Sequence, residues 1–342
     1  AVSLINLERL HLFNNQFTGQ LPTNIQSLEN LSEFWIYSNN FSGEIPDGVC
    51  ELIVTDDSIA LWNNEFCPPY PVCIEDHIGY QDISECSLYL GPNWYVSNDG
   101  LDEPGYGSED YPFSSIQYAI DSASNGDSIF VSAGYYEENI NFNGKNISVI
   151  GDDRELTTID GSASGRVVTF ENEENSSALL DGFTIQNGMV TGGGEGPGGA
   201  GVYCNNSHPR LQNLIIKNNY SYRGAGIGCS NGANPILRNV LITGNTSSES
   251  GGAIYIANNS NPILENITIT NNSCSYGAIH LVASNANLSN VIVWDNPSPY
   301  GIYLWASSEI EIQYSDINNI GFGGDKFTFY SFLVRLLTNF RL

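Results

Sequence analysis

Apolar and polar positions alternate in short bursts that return at nearly constant intervals. From Leu7 the chain reads Leu7-x-x-Leu10-x-Leu12-x-x-Asn15-x-Phe17-x-Gly19-x-Leu21-Pro22-x-x-Ile25, and a shift of 24 residues gives Leu31, Phe34, Ile36, Asn39, Phe41, Gly43, Ile45, Pro46 and Val49. An imperfect third copy ends in Ile59, Leu61, Asn64 and Phe66. Strict alternation predicts a short strand with its apolar side chains inward. Asn15, Asn39 and Asn64 then lie one above another, bonding backbone at the turn.

A second rhythm fills the rest of the chain. Val202-x-Cys204, Ile227-x-Cys229, Ile254-x-Ile256, Ile279-x-Leu281 and Ile302-x-Leu304 recur at 25, 27, 25 and 23 residues. Leu211, Leu237, Leu264 and Leu288 keep step with them, as do Leu214/Ile216, Val240/Ile242, Ile267/Ile269 and Val291/Val293. Asn219, Asn245, Asn272 and Asn296 close a third of each repeat. Three strands per repeat and no helical pattern describe a triangular coil whose stacked turns pair every interior strand. Ahead of it, Ser114 with Gln117 forms a capping-box pattern. Phe113, Ile116, Ile120 and Ala123 then line one face of a short helix that plugs the open end of the solenoid.

Two family resemblances follow from these residues. The Phe-Thr/Ser-Gly-x-Ile/Leu-Pro stretch over residues 1–66 resembles plant-type leucine-rich repeats. Residues 94–317 resemble the right-handed parallel β-helices of the pectin-lyase-like family. The expected architecture is an all-β solenoid: leucine-rich repeats over 1–66, a Cys/Pro-rich cap and linker over 67–93, a β-helix cap with its helix over 94–127, the β-helix over 128–317, and an atypical tail over 318–342. That tail holds five Phe and three of the chain's eleven basic residues, without a coil pattern.

Composition narrows the function. Asp and Glu number 38 against 11 Lys and Arg, a net charge of −27. Nucleic acid needs a basic footprint, so it is not an expected partner. Polyanionic polysaccharide is repelled unless a divalent cation such as Ca²⁺ bridges the charges. No apolar run is long enough to span a membrane. Cys50, Cys67, Cys73 and Cys86 predict disulfides, which mark an oxidising compartment, with three pairings open; a zinc site is the alternative. The expected setting is secreted or cell-surface, bacterial and monomeric.

Candidate chemistry comes from the positions between the core residues. Tyr203, Gly228, Tyr255, His280 and Tyr303 face outward in one row, and aromatic rows suit the apolar faces of sugar rings. A second outward row, Ile215, Leu241, Thr268 and Ile292, is expected to be covered by the chain itself. β-helix enzymes of the resembled family cut polysaccharide either with paired carboxylates or with a base and Ca²⁺. The candidates are Asp152 and Asp153, which also read as a solvated turn, and the bases Arg210 and Lys217. Arg238 faces Glu265 on the next coil and reads as an ion pair. Asp99, Asp102, Glu103, Glu109 and Asp110 form an acidic loop that is either solvated or a Ca²⁺ site. Gly194-x-Gly196-x-x-Gly199 matches a dinucleotide fingerprint, but no helix follows, so it reads as a turn. The reading favoured is a recognition or adhesion protein for a glycan or surface partner, without catalysis. The alternative is a polysaccharide lyase or glycoside hydrolase working along the β-helix groove; a structural stalk is a third.

Overall fold

The structure, a computed structural model, describes residues 4–52, 58–86, 88–191, 198–323, 327–332 and 335–336. Gly194 and Gly196 of the glycine-rich turn lie outside the described residues. Two compact units are present, one of residues 1–90 with 102–107 and one of 91–101 with 108–342. Both are parallel β-solenoids, and no described helix is long and apolar enough to cross a membrane.

In the first unit Arg9–His11, Glu33–Trp35 and Ile59–Ala60 pair in parallel, with Leu10 beside Phe34 and Phe34 beside Ile59. Their inward side chains join Leu21, Ile36, Ile45, Val49, Leu61 and Phe66 in one core. The asparagines stack as expected. Asn39 Nδ2 donates to the carbonyls of Leu12 and Ile36, and its Oδ1 accepts from Phe17 N. Asn64 repeats this with Ile36, Leu61 and Phe41. Gln81 then takes the same place one coil further on, bonding Leu61, Ile78 and Phe66. The Cys/Pro-rich segment therefore continues the ladder while it covers the core. Its cysteines form Cys50–Cys73 and Cys67–Cys86, with Cα separations of 5.7 and 5.5 Å, which removes the zinc alternative.

The second unit opens with Trp94, buried against Phe113 and donating from Nε1 to Asp127. Helix Ile116–Ser122 buries Ile116, Ala119 and Ile120 and packs on strands Asn93–Val96 and Ser128–Val131. Its cap is Ser115 rather than Ser114, the hydroxyl accepting from Tyr118 N. Gln117 does not close a capping box. The carboxylate of Glu138 holds the amides of Ile116 and Gln117 instead, an anion at the helix's positive end.

Beyond the helix each coil contributes a strand to three faces. Val202–Asn205, Ile227–Ser230, Ile254–Ala257, Gly277–Val282 and Tyr300–Trp305 belong to the first face. The second and third faces merge into single long strands at Ile236–Thr243, Ile263–Thr270 and Asn285–Trp294. These bend where Asn239, Asn266 and Asn290 take positive φ values of 56°, 59° and 55°. Asparagine tolerates this left-handed conformation better than other side chains. Every inward row predicted from the repeats is in register. Cys204 lies beside Cys229, both as buried free thiols.

The tail corrects one expectation. Ile320–Gly323, Phe327–Phe332 and Arg335–Leu336 continue the stack, with Ile320 opposite Ile302, Phe327 opposite Ser308 and Arg335 opposite Asp316. Offsets of 18 and 19 residues replace the earlier spacing of about 25, so the period no longer announces the coil.

The corner ladder is the most exposed test of this architecture. Asn219 donates from both N and Nδ2 to Asn245 Oδ1, at 3.0 and 2.9 Å, and Asn245 Nδ2 donates to Ile216 O. Asn245→Ala leaves buried groups unpaired on two coils and is expected to cost about 2–4 kcal/mol. Urea unfolding of the full chain measures it, and a loss below about 0.5 kcal/mol is incompatible with the ladder carrying the corner.

Candidate functional site

The row expected to form an open aromatic surface is in register, but it is largely closed. Tyr203, Tyr255 and His280 are 9%, 5% and 8% exposed. The segments that lead into the first-face strands fold over them. The Arg166 guanidinium sits 3.8 Å from the centroid of the Tyr203 ring. Arg223 pairs with Glu249 and lies 5.5 Å from the centroid of Tyr255. Tyr276 covers His280 and Tyr303, at 6.1 and 5.5 Å between ring centroids. His280 meets Tyr255 edge-on at 5.4 Å and Tyr303 at 5.1 Å. Alternation shows which side chains leave the core; it does not show what is laid over them afterwards.

Among the described residues neither ring nitrogen of His280 has a hydrogen-bond partner. Burial, reinforced by Arg223 and opposed by Glu249, lowers its pKa to about 4. A neutral imidazole packed among tyrosines is a core residue at neutral pH. The second outward row is covered at one end only: Ile215 is buried and Ile292 exposed. The turn after Gly151 lies over the buried end, Arg154 accepting from Thr184 Oγ1 and donating from Nη1 to Asn239 O.

That turn also accounts for two nominated carboxylates. Asp152 Oδ2 accepts from Ala133 N, and Asp153 Oδ1 accepts from Glu155 N. Among the described residues neither bonds to Arg210 or Lys217. Arg210 lies on Arg210–Gln212 and Lys217 on Ile215–Lys217, strands of different faces, so the structure does not gather the two bases. Arg210 Nε is buried and has no partner among the described residues. Arg238 and Glu265 make the expected ion pair at 2.7 Å.

The acidic loop is divided. Asp102 and Glu103 belong to the first unit, whereas Asp99, Glu109 and Asp110 belong to the second. Among the described residues no group of three or more His, Cys, Asp or Glu could hold a metal ion. A carboxylate that sequence reasoning passed over is Asp160. It is fully enclosed and accepts from Tyr135 Oη, Gln186 Nε2, Asn187 Nδ2 and Ser162 N. Burial opposes its ionisation, but these bonds outweigh it and hold the pKa below the usual carboxylate value.

The open aromatic surface lies on the first unit, at positions not nominated from the sequence. The outward residues of its parallel strands form two columns. His11 stacks on Trp35 at 4.2 Å with planes 4° apart. Phe13 stacks on Tyr37 at 4.8 Å and 2°, and Tyr37 on Trp62 at 4.4 Å and 14°. Parallel pairing with little register drift places identical outward positions beside one another, so the rings align without further help. Glu33 receives Arg9 and His11 at the edge. A hollow of about 910 Å³ opens against the columns, lined by Trp35, Tyr37, Trp62, Asp76, His77 and Tyr80 among others. Trp62 is 43% and Tyr80 72% exposed. The signal was present in the sequence: His11 and Phe13 return as Trp35 and Tyr37 one repeat later, in the gaps between the inward Leu, Phe and Ile.

Fold and comparison agree on the class. A family model described as "Right handed beta helix region" matches residues 158–333, and the chain belongs to that family. No match emerges among curated proteins. Among solved structures the chain is similar to a pectin methylesterase from carrot, at 14% identity over 74% of this chain and 90% of that one, with a TM-score of 0.46. It is similar to pectin methylesterase PemA from Erwinia chrysanthemi at 12% identity over 67% and 80%, with a TM-score of 0.45. A pectin methylesterase from Aspergillus niger gives 13% identity over 73% and 87%, also with a TM-score of 0.45. Likenesses this distant bear on neither substrate nor reaction.

The buried histidine gives the pH test. Its folded pKa, about 4, lies below the ordinary 6.5, so the unfolded chain binds more protons between those values. Stability from this group is complete above about pH 6.5 and is lost as the pH falls towards 4, by on the order of 3 kcal/mol. His280→Phe is expected to remove that component, read as the wild-type-minus-variant difference in unfolding free energy across the window. A difference that stays flat contradicts the burial.

Proposed function

We propose that this chain is a secreted or cell-surface recognition protein that binds carbohydrate on the aromatic columns of its N-terminal unit. The observation that carries this reading is the hollow bordered by Trp35, Tyr37 and Trp62 together with Asp76, His77 and Tyr80. Aromatic walls pack the C–H faces of sugars, while a carboxylate, an imidazole and a phenol meet their hydroxyls. The N-terminal coils are leucine-rich repeats, as their 24-residue motif suggests, and the β-helix serves as a rigid carrier. Two disulfides suit an oxidising exterior. Polysaccharide cleavage is the less supported reading, because it calls for a carboxylate pair or a gathered base, and Asp152 and Asp153 are occupied by turn amides.

The test titrates the full chain with neutral and uronic-acid oligosaccharides, following tryptophan fluorescence and new reducing ends in the same samples. Saturable quenching without new ends is the expected result. Trp62→Ala is expected to weaken binding about tenfold, the magnitude of one lost ring contact. Cleavage of any member overturns the recognition reading, as does a Trp62→Ala chain with wild-type affinity.

A further inference from the structure

The aromatic row of the second unit is closed as far as His280 and opens one coil later. Strand Tyr300–Trp305 pairs with Gly277–Val282, setting Tyr303 beside His280 and Trp305 beside Val282. Tyr303 is half-buried, and Trp305 is 46% exposed. Tyr300 and Tyr303 lie 5.3 Å apart with planes 24° apart, and Tyr303 and Trp305 6.4 Å and 25°. Tyr276, itself 43% exposed, brings a fourth ring to 5.5 Å from Tyr303. The next strand, Ile320–Gly323, places Gly321 beside Tyr303 and Gly323 beside Trp305. A Cβ on Gly321 would run into the Tyr300 ring, and one on Gly323 into Tyr303 Oη and the six-membered ring of Trp305. Neither glycine has a left-handed φ, so the backbone itself has no need of glycine at either place. Glycine inside a strand packs nothing and marks close approach by another group. Here that group is the set of rings, which lie across the strand as on a floor.

We propose that Tyr276, Tyr300, Tyr303 and Trp305 form a second carbohydrate platform, on the β-helix, for neutral sugar residues of a glycan chain. It is separate from the hollow of the N-terminal unit and does not depend on it. Near-parallel rings set along one strand offer apolar surface to the C–H faces of successive sugars. Three phenols and an indole N–H stand among them to bond the sugar hydroxyls. Charge selects the kind of ligand. Burial, followed by the Tyr300 and Tyr276 phenols, raises the Tyr303 pKa, and no carboxylate or cation contributes. A uronate therefore finds no cation at the middle ring. A basic peptide, the partner that a net charge of −27 would draw, finds no carboxylate there either. A neutral sugar needs neither.

The test reads the two sites apart in one sample. The full chain, grown with 5-fluorotryptophan at its five tryptophans, gives a fluorine signal for each, and Trp305→Phe and Trp62→Phe assign the two that matter. Titration with neutral gluco-, manno- and xylo-configured hexasaccharides is expected to move the Trp305 signal saturably. Gly323→Ala raises the floor beneath Tyr303 and Trp305. It is expected to weaken binding at Trp305 about tenfold or more while the Trp62 titration stays as in the wild type. Should Gly323→Ala fail to fold, Tyr303→Ala removes the middle ring and is read at the same signal with the same expectation. A folded Gly323→Ala or Tyr303→Ala chain that binds like wild type at Trp305 overturns the platform. A Trp305 signal that stays still while Trp62 titrates also overturns it and leaves the N-terminal reading standing. The converse result upholds the platform and overturns the N-terminal reading, and two unmoved signals overturn both. Tighter binding of oligogalacturonate than of neutral sugar at Trp305 overturns the neutral assignment.

Discussion

The structure depends on how its corners are bonded. A parallel stack satisfies backbone groups within strands, but each bend between strands turns amides and carbonyls towards a water-free interior, where an unpaired group costs more than a bond gains. An asparagine side chain matches that need, with one acceptor and two donors at the length of the bend. In the second unit each Oδ1 takes the N and Nδ2 of the previous coil, from Asn219 to Asn245, Asn245 to Asn272 and Asn272 to Asn296. The first unit solves the same problem with Asn39, Asn64 and Gln81. Each rung meets the next at the coil spacing, so a coil out of register breaks bonds on both sides.

Register held in this way has a consequence outside the core. Residues at equal positions on successive coils are neighbours, whatever they are. In the first unit this produces stacked rings presented beside an open hollow. In the second it produces Tyr203, Gly228, Tyr255, His280 and Tyr303, and there the lead-in segments close over the row with Arg166, Arg223, Glu249 and Tyr276. The same stacking rule yields an open aromatic surface in one place and an outer core in the other. What lies above the column decides between them.

Legibility in the sequence follows this division. Inward rows such as Leu211, Leu237, Leu264 and Leu288 were readable because hydrophobic burial and strand period act on adjacent residues. So was the helix face from Phe113 to Ala123. The disulfide pairing was not, because it depends on how a turn folds back rather than on spacing. The last coils escaped because their period shortens. The covering of the Tyr203–Tyr255–His280 row was illegible for a different reason. Alternation marks the outward aromatics of the β-helix and the equally periodic His11/Trp35 and Phe13/Tyr37 pairs in the same way, and carries no information on which of them other segments cover.

Charge bears on which ligand the proposed recognition role would admit. With 11 cations against 38 anions, the placement of each cation matters. Arg223 and Arg238 are held by Glu249 and Glu265, Arg9 by Glu33, and Arg154 lies within 3.8 Å of Glu155. Arg166 covers a tyrosine ring and donates to Gly198 O, and Lys145 donates to the carbonyls of Ile120 and Asp121. Exposed ion pairs add little to stability, but these contacts turn the scarce positive charge inward or neutralise it locally. The field a diffusing polymer meets is then set by the remaining carboxylates. It repels uronates over about a Debye length, roughly 8 Å at physiological salt, and is indifferent to neutral sugars. Under the proposed recognition role, an aromatic hollow whose described lining holds no cation suits a ligand that brings apolar faces and hydroxyls rather than charge.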